Sequence, residues 1–133
     1  MIKRFMKFIS GVEHSSKINW KYLTSENQLD DLIEQSRTVP VAIYKHSTRC
    51  GVSSMAKSKL EREWDIADER IEMYFLDLIP YRSVSNAVAK RFKIVHQSPQ
   101  LIVIKNGKSV YNQSHMDISV SGLKKILNVN QDV

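Results

Sequence analysis

The chain carries a single cysteine, Cys50, in 133 residues, so no internal disulfide can staple its fold. A stable fold without such staples fits a reducing compartment, and a cytoplasmic setting is expected. Proline and glycine are scarce, at three and four residues. With 42% hydrophobic and 26% charged residues, that scarcity excludes collagen-like, low-complexity and disordered chains. No stretch approaches the roughly 18 consecutive apolar residues that a membrane helix needs. The longest apolar runs, such as residues 101–104, have the length of buried strands. The composition is that of a chain able to bury one core, at the size of one domain.

Twenty Lys and Arg against fourteen Asp and Glu leave a net charge of +6. Such a balance suits nucleic acid, anionic lipid or acidic small molecules. The basic residues are scattered, however, with no like-charge run and no zinc, helix-turn-helix or aromatic-rich RNA-binding signature. Neither nucleic acid nor a membrane is expected as a partner, no metal site is expected, and a basic surface is the simple reading. Residues 1–10 pair Lys3 and Arg4 with apolar side chains in the manner of a secretory signal. Lys7 interrupts them and no small-residue cleavage pattern follows, so residues 1–16 are read as a retained extension and 17–133 as one domain.

Along that domain, Ser25 and Gln28 have the spacing of a capping box ahead of Leu29, Leu32 and Ile33 at helical intervals. Pro40 ends this helix and precedes a short apolar strand, residues 41–44. After Cys50, Val52, Met55, Ala56 and Leu60 recur at helical spacing. A second strand, residues 73–76, ends at Asp77, and Ser83 is the expected cap of a helix through Val84, Ala87, Val88 and Phe92. Residues 101–104 form a third strand. Asn106-Gly107 then marks a tight hairpin into residues 109–113, since both residues tolerate positive φ. A last helix runs through Val120, Leu123, Ile126 and Leu127, weakened by Gly122. Helix, strand, helix, strand, helix, strand, strand, helix is an α/β order, in which a parallel pair with helical crossovers is extended by an antiparallel hairpin. It predicts a thioredoxin-like fold, a central mixed sheet of about four strands flanked by helices.

In that arrangement Cys50 stands at the N-terminal end of a helix, where free backbone N–H groups and the helix dipole favour a thiolate. Arg49 and His46 are candidates to add positive charge. A free cysteine is often only a small buried filler, but the polar neighbours Thr48 and Arg49 favour a reactive one. The motif Cys50-Gly51-Val52-Ser53 has serine where a dithiol oxidoreductase carries its second cysteine. No intramolecular disulfide can form, and a second thiol must come from another molecule. Ser53 has two readings, a donor to the thiolate or a hydroxyl on the helix surface. Pro99 precedes a core strand downstream of the cysteine. By likeness to thioredoxin-like proteins it is expected in the cis form, with Gln97 and Ser98 as candidate substrate contacts.

Lys45-His46-Ser47-Thr48-Arg49-Cys50 with Ser53 and Met55, His96-Gln97-Ser98-Pro99-Gln100, and Ser114-His115 together resemble the monothiol bacilliredoxin family. The likeness spans residues 19–127, with Gly51 where that family more often has proline. The resemblance implies a thiol-disulfide oxidoreductase that removes bacillithiol from mixed disulfides on client proteins. Cys50 would be the nucleophile, bacillithiol the thiol co-substrate, and a partner redox protein a further possibility, with no tightly bound cofactor. The two carboxylates of the malyl group of bacillithiol would give Arg49, Lys45, His46 and His115 a purpose. His115 has a second reading, a strand-end histidine satisfying backbone groups, and His96 that of shaping the proline turn. Two rivals stand beside this: iron-sulfur cluster carriage, since Cys-Gly-x-Ser also resembles monothiol glutaredoxins, and a non-catalytic interaction module. Ser114-His115-Met116-Asp117 speaks against the first, because those glutaredoxins carry a double glycine there.

Overall fold

The structure is a computed structural model and describes residues 17–129; the expected N-terminal extension lies outside the described residues. Five strands and four helices alternate: β1 (Trp20–Tyr22), α1 (Asn27–Gln35), β2 (Val41–His46), α2 (Gly51–Glu63), β3 (Glu72–Asp77), α3 (Arg82–Phe92), β4 (Gln100–Lys105), β5 (Lys108–Ser114) and α4 (Val120–Val129). Short 3-10 turns at Asp68–Arg70 and His115–Asp117 lead into β3 and α4. The strands lie in the order β1-β3-β2-β4-β5. β1 and β2 both run parallel to β3, while β4 is antiparallel to both β2 and β5. This is the thioredoxin-like arrangement.

Every residue of β2 is buried, as expected of a central strand covered on both faces. Its side chains alternate between two cores. Ala42 and Tyr44 join Ala56 and Leu60 of α2 and Leu123 and Leu127 of α4 on one face. Val41 and Ile43 join Leu29 and Leu32 of α1 and Val84, Val88 and Phe92 of α3 on the other. The same alternation sends Lys45 to the α1/α3 side and His46 to the α2/α4 side.

The Asn-Gly turn is as expected: Asn106 and Gly107 have φ of 50° and 77°. Ser36, just after α1, grips this turn, its carbonyl accepting the Asn106 N–H at 2.8 Å and its Oγ the Gly107 N–H at 2.8 Å. Three details differ from the sequence expectation. The sheet has a fifth strand, β1, which is only three residues long and half-exposed, so it shows no alternation to read. The Ser25/Gln28 pair is half a capping box: Gln28 Oε1 accepts the N–H groups of Thr24 at 2.7 Å and Ser25 at 3.0 Å, while the helix starts at Asn27 after Glu26. Ser83 does not cap α3, which starts one residue earlier at Arg82.

Gly122 sits inside α4 because a side chain there meets a neighbour. An added Cβ would fall within contact distance of the Tyr111 hydroxyl of β5 and 3.2 Å from Ser119 Oγ. Gly122→Ala is therefore expected to cost about 1 kcal/mol despite the better helix propensity of alanine. In a Tyr111→Phe background the same change should stabilise by about 0.5–1 kcal/mol. Urea melts of the four proteins check this, and equal effects in both backgrounds would refute the contact.

Candidate active site

Cys50 is the N-cap residue of α2, in extended conformation with φ −115° and ψ 114°, and it is partly exposed. The chain arrives there from β2 through Ser47, Thr48 and Arg49. The Cys50 N–H returns to the Ser47 carbonyl at 3.1 Å, and the Ser53 N–H reaches the Cys50 carbonyl at 3.1 Å. The thiol therefore rides on a tight turn where the first N–H groups of α2 lack helical partners.

Beneath it, the Ser53 hydroxyl is fully buried and corrects both readings made from the sequence, for it neither lies on the helix surface nor bonds the thiol. Ser53 Oγ accepts the Ser47 N–H at 3.1 Å and lies 2.8 Å from His46 Nδ1. With that N–H accepted, its own hydrogen is available to Nδ1 of a neutral imidazole. His46 is 8% exposed, and burial pushes its pKa below the ordinary 6.5. Nearby Lys57 acts in the same direction and Asp77 against it. His46 thus does not supply the positive charge expected of it at neutral pH. Tyr44 completes the floor: its hydroxyl donates to the Ser53 carbonyl at 2.8 Å, and burial raises its pKa well above the usual tyrosine value.

The Tyr44 and His46 rings adjoin Phe75, with centroids 6.2 Å and 5.1 Å from it. Trp20 flanks Phe75 edge-on at 5.5 Å, and the Lys57 ammonium lies 5.6 Å from the Phe75 ring centre. Glu61 ties this side together, accepting from Trp20 Nε1 at 2.7 Å and Lys57 Nζ at 3.0 Å. Asp77, opposite His46 on β3, has a buried Oδ1 without a hydrogen-bond partner.

The remaining candidates separate. Arg49 is exposed and makes no ion pair among the described residues. Lys45 is fully buried on the far face of β2, bonded to the Ser85 carbonyl and to His96 Nδ1, each at 3.1 Å, so it is not part of an anion site beside the thiol. Its direction follows from strand alternation, which places neighbouring basic residues on opposite faces. The Ser98–Pro99 peptide is cis. The Ser98 Oγ is buried without a partner, and the exposed Gln97 donates its N–H to Gln100 Oε1 at 3.3 Å. His115 is exposed, with φ 57°, and its N–H donates to the Pro99 carbonyl at 3.0 Å. Its 3-10 turn packs against α2, and His115 also lines an open groove with Gln97, Gln100, Asn112 and Ser114. Among the described residues no cluster of His, Cys, Asp and Glu is arranged to hold a metal, and no helix is long and apolar enough to cross a membrane.

The family model of the monothiol bacilliredoxin BrxC matches residues 21–123. The chain belongs to the monothiol bacilliredoxin family. Among solved structures, a thioredoxin-fold protein described as an oxidoreductase is 30% identical over 80% of this chain and 91% of its own, with a TM-score of 0.69. The Malassezia sympodialis thioredoxin (17% identity, 88% and 95% covered, TM-score 0.66) and a Halobacterium salinarum thioredoxin mutant (18%, 87% and 94%, 0.64) share the fold. A redox role follows for this chain.

The sequence reading missed Tyr44, Ser47, Phe75, Asp77 and Lys57. Two signals were available: the alternation that puts Tyr44 and His46 on one face of β2, and the helical spacing of Cys50, Ser53 and Lys57 along α2. Phe75 and Asp77 sit on a strand distant in sequence, and only its parallel pairing with β2 brings them in.

Ser53→Ala leaves the Ser47 N–H and His46 Nδ1 without their shared buried partner. A loss of about 1–3 kcal/mol in urea unfolding is expected; an unchanged midpoint would remove Ser53 from its holding role. For Lys45, burial lowers the amine from 10.5 to about 8. Above pH 8 the unfolded chain keeps a proton that the folded one has lost, so stability rises between about 8 and 10.5, and below 8 the full penalty stands, on the order of 3 kcal/mol. Lys45→Met should therefore stabilise the protein at pH 7 by about 1–3 kcal/mol and flatten that alkaline rise, read from denaturant melts across pH.

Proposed function

We propose that this protein is a monothiol thiol-disulfide oxidoreductase that removes bacillithiol from mixed disulfides on client proteins. The observation that carries the reading is a partly exposed cysteine at the start of α2 in a chain with no second sulfhydryl. The Cys50 thiolate attacks the bacillithiol sulfur of the mixed disulfide. The old sulfur–sulfur bond breaks, the client leaves as a thiolate, and Cys50 becomes the bacillithiolated partner. The thiolate of a second bacillithiol then attacks the bacillithiol sulfur held on Cys50, yielding oxidised bacillithiol and regenerated Cys50 thiolate. A partner redox protein would substitute for that second thiol.

The chain itself supplies attack, positioning and charge. The turn at residues 47–50, held from below by Ser53, fixes the Cys50 backbone, and the free N–H groups of α2 favour the thiolate in each half-reaction. Arg49, exposed and without an ion pair among the described residues, is the basic residue of the turn available to a carboxylate of the bound thiol. His115, Gln97 and Ser98 lie at the proline segment and are proposed as contacts for the rest of the substrate. Lys45 and His46 drop out of this role because their side chains are buried.

Intact-mass measurement after incubation with oxidised bacillithiol, with oxidised glutathione and with neither tests both chemistry and ligand. A mass gain on Cys50 chiefly from the first is expected. Cys50→Ser should lose exchange completely while its melting temperature stays within about 2 °C of the parent, since one oxygen replaces one partly exposed sulfur. Exchange retained in that variant would end the proposal.

A further inference from the structure

Lys45 is the one Lys, Arg, Asp or Glu in the buried set among the described residues, at 0% exposure. Burial of a cation without a carboxylate is costly and calls for a reason. Its cross-strand neighbours are Leu76 on β3 and Gln100 on β4, neither of them charged. From α3 it meets the Ser85 carbonyl, and from the segment after α3 it meets His96 Nδ1, both at 3.1 Å. The charged groups that act on His96 are Lys45 and Arg82, the latter on α3, and both are cations.

His96 opens the segment that runs through Gln97 and Ser98 to Pro99. Since Gln100 lies opposite Lys45, that segment ends beside His46 and Ser47, at the edge of the sheet that carries Cys50. Its Pro99 end is held by the His115 N–H on the Pro99 carbonyl, and two ties hold its start. Gln100 bonds the Val95 carbonyl at 3.1 Å and the Gln97 N–H at 3.3 Å, and Lys45 holds His96. An ammonium can donate to Nδ1 only while that nitrogen carries no proton.

We propose that Lys45, acting through His96, is a positioning residue for the proline segment, and that the segment is released when His96 takes up a proton. Protonated His96 has no Nδ1 lone pair left for Lys45 and would set a third cation beside Lys45 and Arg82, with no carboxylate among the described residues acting on it. The held segment binds fewer protons than the released one. It is therefore favoured above the ordinary histidine value of 6.5 and lost as pH falls through the lower value that burial, Lys45 and Arg82 impose on His96. On the alkaline side the tie survives, because a neutral amine and a neutral imidazole still share one hydrogen bond. The consequence for catalysis, a substrate wall that loosens in acid, rests on the proposed function of Cys50; the latch itself does not.

NMR titration of the His96 ring and hydrogen exchange of the Gln97 amide, corrected for its intrinsic rate, test this in the full chain. In the parent protein His96 should titrate below 6.5, and Gln97 protection should fall at least tenfold between pH 7.5 and pH 5. In Lys45→Met the His96 titration should move up towards 6.5 and Gln97 should be weakly protected at both pH values. In His96→Asn, whose amide oxygen accepts from Lys45 without titrating, Gln97 should be equally protected at both. That variant decides the matter even if Lys45→Met folds poorly. A His96 titration unmoved by Lys45→Met, pH-independent Gln97 protection in the parent, or a parent-like loss of protection in His96→Asn would each overturn the proposal. The same measurements on Cys50→Ser should match the parent, so failure of the latch and failure of the exchange chemistry are read separately.

Discussion

The site depends on one buried hydroxyl. Ser53 Oγ takes the N–H of Ser47 and shares a hydrogen with His46, and through Ser47 it sets the turn on which Cys50 is presented. The Ser53 hydroxyl is fully buried and its bonds to Ser47 and His46 are buried ones, so water is a poor substitute and the three groups have to form as a set. The serine that marks the absence of a second thiol is thus also the piece that holds the single thiol in place.

Strand β2 distributes polar groups to both sides of the sheet and makes two separate supports from adjacent residues. His46 points into the α2/α4 core, where Tyr44, Phe75 and Ser53 surround it. Lys45 points into the α1/α3 core, where it reaches α3 and the segment before Pro99. One strand thereby holds the thiol turn from one face and the proline segment from the other. On each side a histidine is held below its ordinary pKa, chiefly by desolvation, so proton uptake disfavours the arrangement on both faces.

The chain is basic, yet little of that charge stands at the thiol. Lys45 is turned away, His46 is held towards its neutral form by burial, and Lys57 is engaged with Glu61 and the Phe75 ring. Arg49 is what remains exposed on the turn.

The element order, the burial of β2 on both faces, the Asn106-Gly107 turn and the cysteine at a helix start were all legible in the sequence, because each follows from local spacing and backbone preference. β1 was not legible, since three half-exposed residues become a strand only when β3 offers them partners. Nor were the fates of Ser53, Lys45 and His46. Residue type and spacing marked them as chemically capable, but which way a side chain faces, and whether water reaches it, depends on helices and strands remote in the chain. Sequence alone determined that there is one thiol and where the backbone would present it. Tertiary packing decided which neighbours keep their charge, because burial and hydrogen bonding, rather than residue identity, set the protonation of a side chain.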